Sequence, residues 1–260
     1  MCELFGFSGN TYKEMNDYLD VFYSHSVRHP HGWGLAILDG KVSRVEKESK
    51  QAIRSLYLAE RLSEPIYART CLAHIRYATV GEMKYNNCNP YRWVDRYGRT
   101  WTMVHNGTIF NYDALNKYKK VQDGETDSER VLLFIVDAIN RKEIELGKEL
   151  NQQERFELLD TLVCDLSKGN KLNLMIYDGD NFYVHTNEAH TLNQLETPDG
   201  RYFSTKPLSE EDWYPVPLTQ LLGYQDGELI YQGTNHHHEY VFNADQFKSI
   251  GGDFIDFANL

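Results

Sequence analysis

The chain has 260 residues, 41% of them hydrophobic, and a formal net charge of −11. That length and apolar content suffice for one large core or two small ones. The acidic balance argues against nucleic acid or an anionic membrane surface as partner, because both need clustered Lys and Arg.

In chain order, alternating or wholly apolar segments predict strands over 3–8, 33–38, 41–47, 71–77 and 100–105. A second series follows over 172–177, 181–185, 201–204, 218–224 and 228–232. Asp39-Gly40 and Gln225-Asp226-Gly227 mark hairpin turns between neighbouring strands. Apolar residues at helical spacing predict helices over 14–25, 51–62, 127–141 and 152–167. The charged stretch Arg141 to Arg155 reads as a solvated connection between two of them. Helices in blocks against hairpin-connected strands give the α+β class, with helices outside antiparallel sheets. No repeat or Pro/Gly/Ser linker divides the chain, so 1–260 is expected to be a single domain.

The start of the chain carries no basic n-region, and the apolar stretch Leu4 to Phe7 is too short for a secretory h-region. With no apolar run long enough to span a bilayer, a soluble cytoplasmic protein is expected. Cys2, Cys71, Cys88 and Cys164 show no C-x-x-C or zinc spacing, so free thiols are expected. The histidine groups His25, His29, His31 and His236, His237, His238 fall in a turn and a polar loop, without a pattern that fixes metal ligands. Neither a metal nor an organic cofactor is expected.

Four places carry candidate chemistry. Cys2 follows the initiator methionine, whose removal would put a thiol and a free α-amine on one residue. That amine, with an ordinary pKa of about 7.7 to 8.0, can act as the thiol's base, the N-terminal-nucleophile arrangement. Alternatively Cys2 is a small buried hydrophobe at a strand start. Arg76, leaving a strand in His74-Ile75-Arg76-Tyr77-Ala78-Thr79, offers a fork suited to a substrate carboxylate, or else forms a surface salt bridge. Asn106 and Gly107 in His105-Asn106-Gly107 either turn a hairpin or donate an amide and a backbone N–H to an oxyanion. Asp127, near the helix start in Thr126-Asp127-Ser128-Glu129, either favours the helix N-terminus or receives a substrate ammonium.

Taken together and in this order, these motifs resemble the class II glutamine amidotransferases: an N-terminal Cys, an H-x-R-x-x-T segment, an H-N-G segment and an acidic residue near a helix start. Arg28, before Gly32-Trp33-Gly34-Leu35, also matches a family arginine. The Gly32-Trp33-Gly34 form, with Tyr202 to Leu208 and Pro215 to Leu218, resembles the stand-alone YafJ-like branch. The resemblance spans about residues 2–232 and leaves 233–260 unassigned. Where many relatives have a histidine, this chain has Asn89.

The resemblance implies an N-terminal-nucleophile hydrolase, a four-layer αββα sandwich of two antiparallel sheets. It implies release of ammonia from the glutamine side chain through a γ-glutamyl thioester, with Cys2, Asn106 and Gly107 catalytic. Arg76, Asp127, Thr79 and Arg28 would bind the substrate. Nothing after these motifs resembles an acceptor domain, so an ammonia acceptor would be a separate protein. The alternatives are hydrolysis of another γ-glutamyl amide without ammonia transfer, and a catalytically idle binding module.

Overall fold

The structure, a computed structural model, describes residues 2–40, 42–78 and 81–249. It opens with β1 (Glu3–Glu14) and α1 (Asn16–Ser24), then the hairpin β2 (Trp33–Asp39) and β3 (Val42–Glu48), α2 (Leu56–Leu62) and β4 (Tyr67–Ile75). Next come β5 (Tyr91–Val94), β6 (Thr100–Thr108), the long helices α3 (Asp127–Leu146) and α4 (Gln152–Leu166), and the hairpin β7 (Lys171–Tyr177) and β8 (Phe182–His185). The chain continues through β9 (Asn193–Thr197), β10 (Gly200–Ser204), β11 (Tyr214–Pro215), β12 (Leu222–Gln225), β13 (Glu228–Gln232) and α5 (Ala244–Ser249).

The strands form two sheets, ordered β11-β9-β10-β1-β4-β2-β3 and β13-β12-β8-β7-β6-β5. Every recorded pairing is antiparallel. Strand alternation sorts the apolar side chains into three layers. Phe5, Phe7, Ala73 and Ile75 face Leu19, Phe22 and Leu58 of α1 and α2. Leu4, Leu72, Val104 and Met175 fill the space between the sheets. Met103, Leu174 and Ile176 pack on Val131, Ile135 and Leu159 of α3 and α4. The result is the helix–sheet–sheet–helix stack expected from the resemblance.

Caps place the long helices. Thr126 accepts the Glu129 N–H at the start of α3, and Gly147, at φ 68°, ends it. Glu129 does not close a capping box with Thr126; its carboxylate takes the Asp123 and Gly124 N–H groups. A full box of Asn151 and Glu154 starts α4. The Asp39-Gly40 and Asp226-Gly227 hairpins form as expected, with φ of 52° at Gly40 and 84° at Gly227.

Several boundaries and surroundings differ from expectation. Helix α3 continues to Leu146, and the supposedly solvated stretch contains Glu143 and Arg155, which are 0% and 2% exposed. Arg155 is buried because it pairs with Asp178 at 2.7 Å and Asp180 at 2.6 Å, pinning α4 to the β7–β8 turn. The expected helix over 51–62 breaks at Ser55, whose side chain caps α2. A strand beginning at residue 218 does not form, since Thr219 has φ 58° and gives its N–H to Thr186 O. The short strands β5, β9 and β11 have too little alternation to be seen in sequence.

The histidine groups lie in a turn and a loop, as read from the sequence, but are partly buried. His25 and His29 face Glu3, and His236 lies 3.0 Å from the buried His185. The segment after β13, unplaced by any sequence pattern, folds back on the second sheet. The Tyr240 N–H donates to Asn187 O at 2.7 Å, and its ring stacks on Phe110 at 5.9 Å. Among the described residues no helix is long and apolar enough to cross a membrane.

Candidate active site

Cys2 stands at the head of β1, in the middle of the first sheet, where β4 ends beside it. Its Sγ accepts the Tyr77 N–H at 3.3 Å. Tyr77 follows Arg76, which is 3% exposed, so the surface salt-bridge alternative for this arginine fails. The Arg76 backbone N–H donates to Gly32 O at 2.8 Å, and its carbonyl accepts the His31 N–H at 3.1 Å. Gly34 of the same Gly-Trp-Gly run must be small, because a Cβ there would strike the Asn89 carbonyl. Burial raises the Cys2 thiol pKa, opposed by the amino-terminal charge, the Tyr77 N–H, Arg76 and Lys171. Such a thiol needs a base to react near neutral pH.

On the facing sheet, Asn106 and Gly107 lie inside β6, which pairs with β7 through Thr108. The hairpin-turn alternative is therefore excluded: the Asn-Gly pair extends a strand, with Asn106 opposite Asn173 and Gly107 opposite Leu172. Alternation from Val104 puts the Asn106 side chain between the sheets. Asn106 is 3% exposed, and its amide makes no hydrogen bond among the described residues. The neighbouring His105 N–H points to the edge that β5 leaves uncovered, where Asn89 Oδ1 accepts it at 3.1 Å. The Gly107 N–H, two residues on, faces that same edge. Any Cβ on Gly107 would collide with the His105 ring and the Lys171 carbonyl. Asn89 thus supports β6, whatever a histidine does at that place in relatives.

Asp127 is 7% exposed at the first turn of α3. Its carboxylate accepts the Ile109 N–H at 2.8 Å and the Ser128 N–H at 2.9 Å, which ties the helix start to the chain leaving β6. A chain of polar bonds leads from Arg76 towards the start of α3. The Arg76 guanidinium donates to Glu82 O at 3.0 Å and Gly81 O at 3.1 Å. The Glu82 N–H donates to Glu125 at 3.0 Å, and Asn87 and Glu125 bond each other twice. Glu125 stands two residues before Asp127.

Arg28 is exposed, on the turn whose His25 and His29 face inward. Thr79 and Met1 lie outside the described residues.

Three buried polar groups stand near the site without a role assigned from the motifs. Glu3, next to the nucleophile and 2% exposed, is held by His25 at 2.8 Å and Lys206 at 2.9 Å. Burial works to raise its pKa, but these partners keep it below the ordinary carboxyl value. The segment carrying Lys206 also exchanges two bonds with Leu4, through the Thr205 hydroxyl at 2.9 Å and N–H at 3.0 Å. His74 is fully buried, and neither ring nitrogen has a hydrogen-bond partner among the described residues. Burial, then Arg76, push its pKa far down, so the ring is neutral. Lys171 is buried beside Glu188. For Glu3 and Lys171 the sequence signal is a charged residue at the first position of an apolar strand, while His74 stands inside the His74-Ile75-Arg76 motif, where its burial was not legible.

Two face-to-face antiparallel sheets between helix layers, with a cysteine heading a central strand, define the N-terminal-nucleophile hydrolase fold. The chain belongs to the class II glutamine amidotransferases, whose family model matches residues 1–202. An uncharacterized protein of Methanocaldococcus jannaschii is 30% identical, over 89% of this chain and 71% of that one. YafJ of Escherichia coli, whose name provisionally makes it a glutamine amidotransferase, is 28% identical over 69% of this chain and 70% of its own. Glutamine phosphoribosylpyrophosphate amidotransferase from B. subtilis superposes with a TM-score of 0.64 at 17% identity, covering 88% of this chain and 48% of that structure.

Proposed function

We propose that the protein hydrolyses the side-chain amide of glutamine, using Cys2 as an N-terminal nucleophile and releasing ammonia. The observation that carries this proposal is the placement of the Cys2 thiol beside the Arg76–Tyr77 segment, while the buried amide of Asn106, without a hydrogen bond among the described residues, faces the space between the sheets. With Met1 removed, the Cys2 α-amine takes the thiol proton, directly or through water. The sulfur attacks the amide carbon. Asn106 and the Gly107 N–H receive the negative oxygen of the tetrahedral adduct. Collapse expels ammonia, which carries away the proton, and leaves a γ-glutamyl thioester that water hydrolyses to glutamate and the free thiol. Arg76 takes the substrate carboxylate and Asp127 its ammonium, with Arg28 and Thr79 as further contacts. The ammonia either escapes to water or passes to an acceptor protein.

The deciding experiment assays the purified protein on glutamine and a panel of other γ-glutamyl amides, following glutamate and ammonia together. Preference for glutamine supports the proposal; a much higher kcat/KM on another amide would transfer the same chemistry to that substrate, and inertness throughout would favour a binding module. Intact-mass measurement of the active protein should show that Met1 is gone. Activity from protein that retains it would remove the α-amine from the mechanism.

Arg76→Lys and Asp127→Asn should each raise KM for glutamine by about ten- to a hundredfold, the scale of one lost charge-assisted hydrogen bond. Because Arg76 also holds the Gly81–Glu82 carbonyls, the melting temperature must be measured beside the kinetics. Unchanged kinetic constants in both variants would confine the two residues to tying loops together.

A further inference from the structure

Lys171 is 1% exposed, with Nζ 2.5 Å from Glu188 Oε2. An ion pair taken out of water is seldom more stable than apolar side chains of the same volume. Its neighbours on β7 are almost wholly apolar, so stability alone gives little reason for a charge here.

The packing of the two sheets shows what the charge faces. Gly6 of β1 lies against β7: a Cβ there would stand 2.6 Å from Met175 Sδ and 2.7 Å from Phe182. Farther on, the Gly227 N–H reaches Ser8 Oγ at 3.1 Å, from the hairpin whose Tyr224 pairs with Phe182. The strands β1 and β7 therefore run in the same direction across the gap. Moving back four residues from Gly6 and from Met175, and keeping to the inward face, sets Cys2 opposite Lys171. The two groups also influence each other's ionisation.

We propose that the buried Lys171–Glu188 pair is a positioning device for the nucleophile, in which the ammonium favours the Cys2 thiolate and Glu188 fixes and partly offsets that ammonium. This rests on Cys2 being the nucleophile. The other groups acting on Cys2 are the amino-terminal charge, Arg76 and the Tyr77 N–H at the end of β4, and Cys88 before β5. Lys171 is also felt by His105 of β6. A charge within a few ångströms typically moves a neighbouring pKa by about one unit or more, and a partly offset one by less.

The test is the pH dependence of Cys2 alkylation by iodoacetamide, followed by peptide mapping and compared with Tm. In Lys171→Met/Glu188→Gln, which leaves no buried charge unpaired, the midpoint for Cys2 should rise by about half a unit to one unit. In Glu188→Gln alone the lysine loses the carboxylate that keeps it charged against burial, so it should tend to the neutral amine and the midpoint should rise as well. Lys171→Arg should stay near wild type. If the double variant does not fold, the rise in Glu188→Gln still decides the matter. Midpoints that stay put while Tm drops would show a purely structural pair and overturn the proposal. Failure of the nucleophile assignment itself reads out separately, as wild-type protein fully alkylated at Cys2 that keeps its glutaminase activity.

Discussion

Replacing Cys2 with alanine is expected to reduce glutamine hydrolysis by about a million-fold, the scale on which loss of a hydrolase nucleophile acts. No other thiol is placed to compensate. Cys71 is buried among the outer apolar layer with its pKa pushed up to about 12, and burial takes Cys88 and Cys164 to about 11. None of these can pair its sulfur with its own free amine. Serine at position 2 should be nearly as inactive, because a hydroxyl is intrinsically a far weaker nucleophile than the thiol it replaces. A glutamine-analogue electrophile should label Cys2 alone, and serine at positions 71, 88 or 164 should leave turnover intact. An adduct mapped to any of those three cysteines would require a different nucleophile.

Asn106→Ala is expected to lower kcat by about 100- to 1000-fold with little change in KM, the effect of removing one oxyanion donor. The structure sharpens this expectation. Asn106 sits in a paired strand, and its amide makes no hydrogen bond among the described residues that truncation would break. The melting temperature should therefore move little, since a buried amide without a partner contributes no favourable bond to stability. Kinetics and thermal unfolding on the same preparation separate the possibilities. A fully active enzyme, at any melting temperature, would remove Asn106 from the mechanism.

The residues that form motifs were legible in the sequence, and the residues that support them were not. Cys2, Arg76, Asn106 and Asp127 could be picked out because each stands in a short run whose residue types suit one job. The environment of Asn106-Gly107 was ambiguous, since an Asn-Gly pair after an apolar run has the composition of a turn. Only pairing to β7 shows that the strand continues. Lys171, Glu188 and Lys206 could not be assigned because their partners lie on other parts of the fold: Glu188 stands just past the hairpin that Lys171 opens, and Glu3 meets a lysine some two hundred positions later. Arg155 was misplaced for the same reason, a charge in a charged run whose buried partners lie on a distant turn. The layer order followed from the family resemblance, while periodicity alone gave only helices outside antiparallel strands.

The position of β1 between β10 and β4 has an entropic consequence. The first residues of a chain ordinarily sample many conformations, and a nucleophile carried there would lose that freedom each time it engaged a substrate. Here Phe5 is paired with Ser204 on one side and Ala73 on the other, three residues beyond the thiol. Folding thus absorbs the loss of freedom once, in advance, leaving each encounter to contribute its binding energy to bond-making in the manner of an intramolecular reaction.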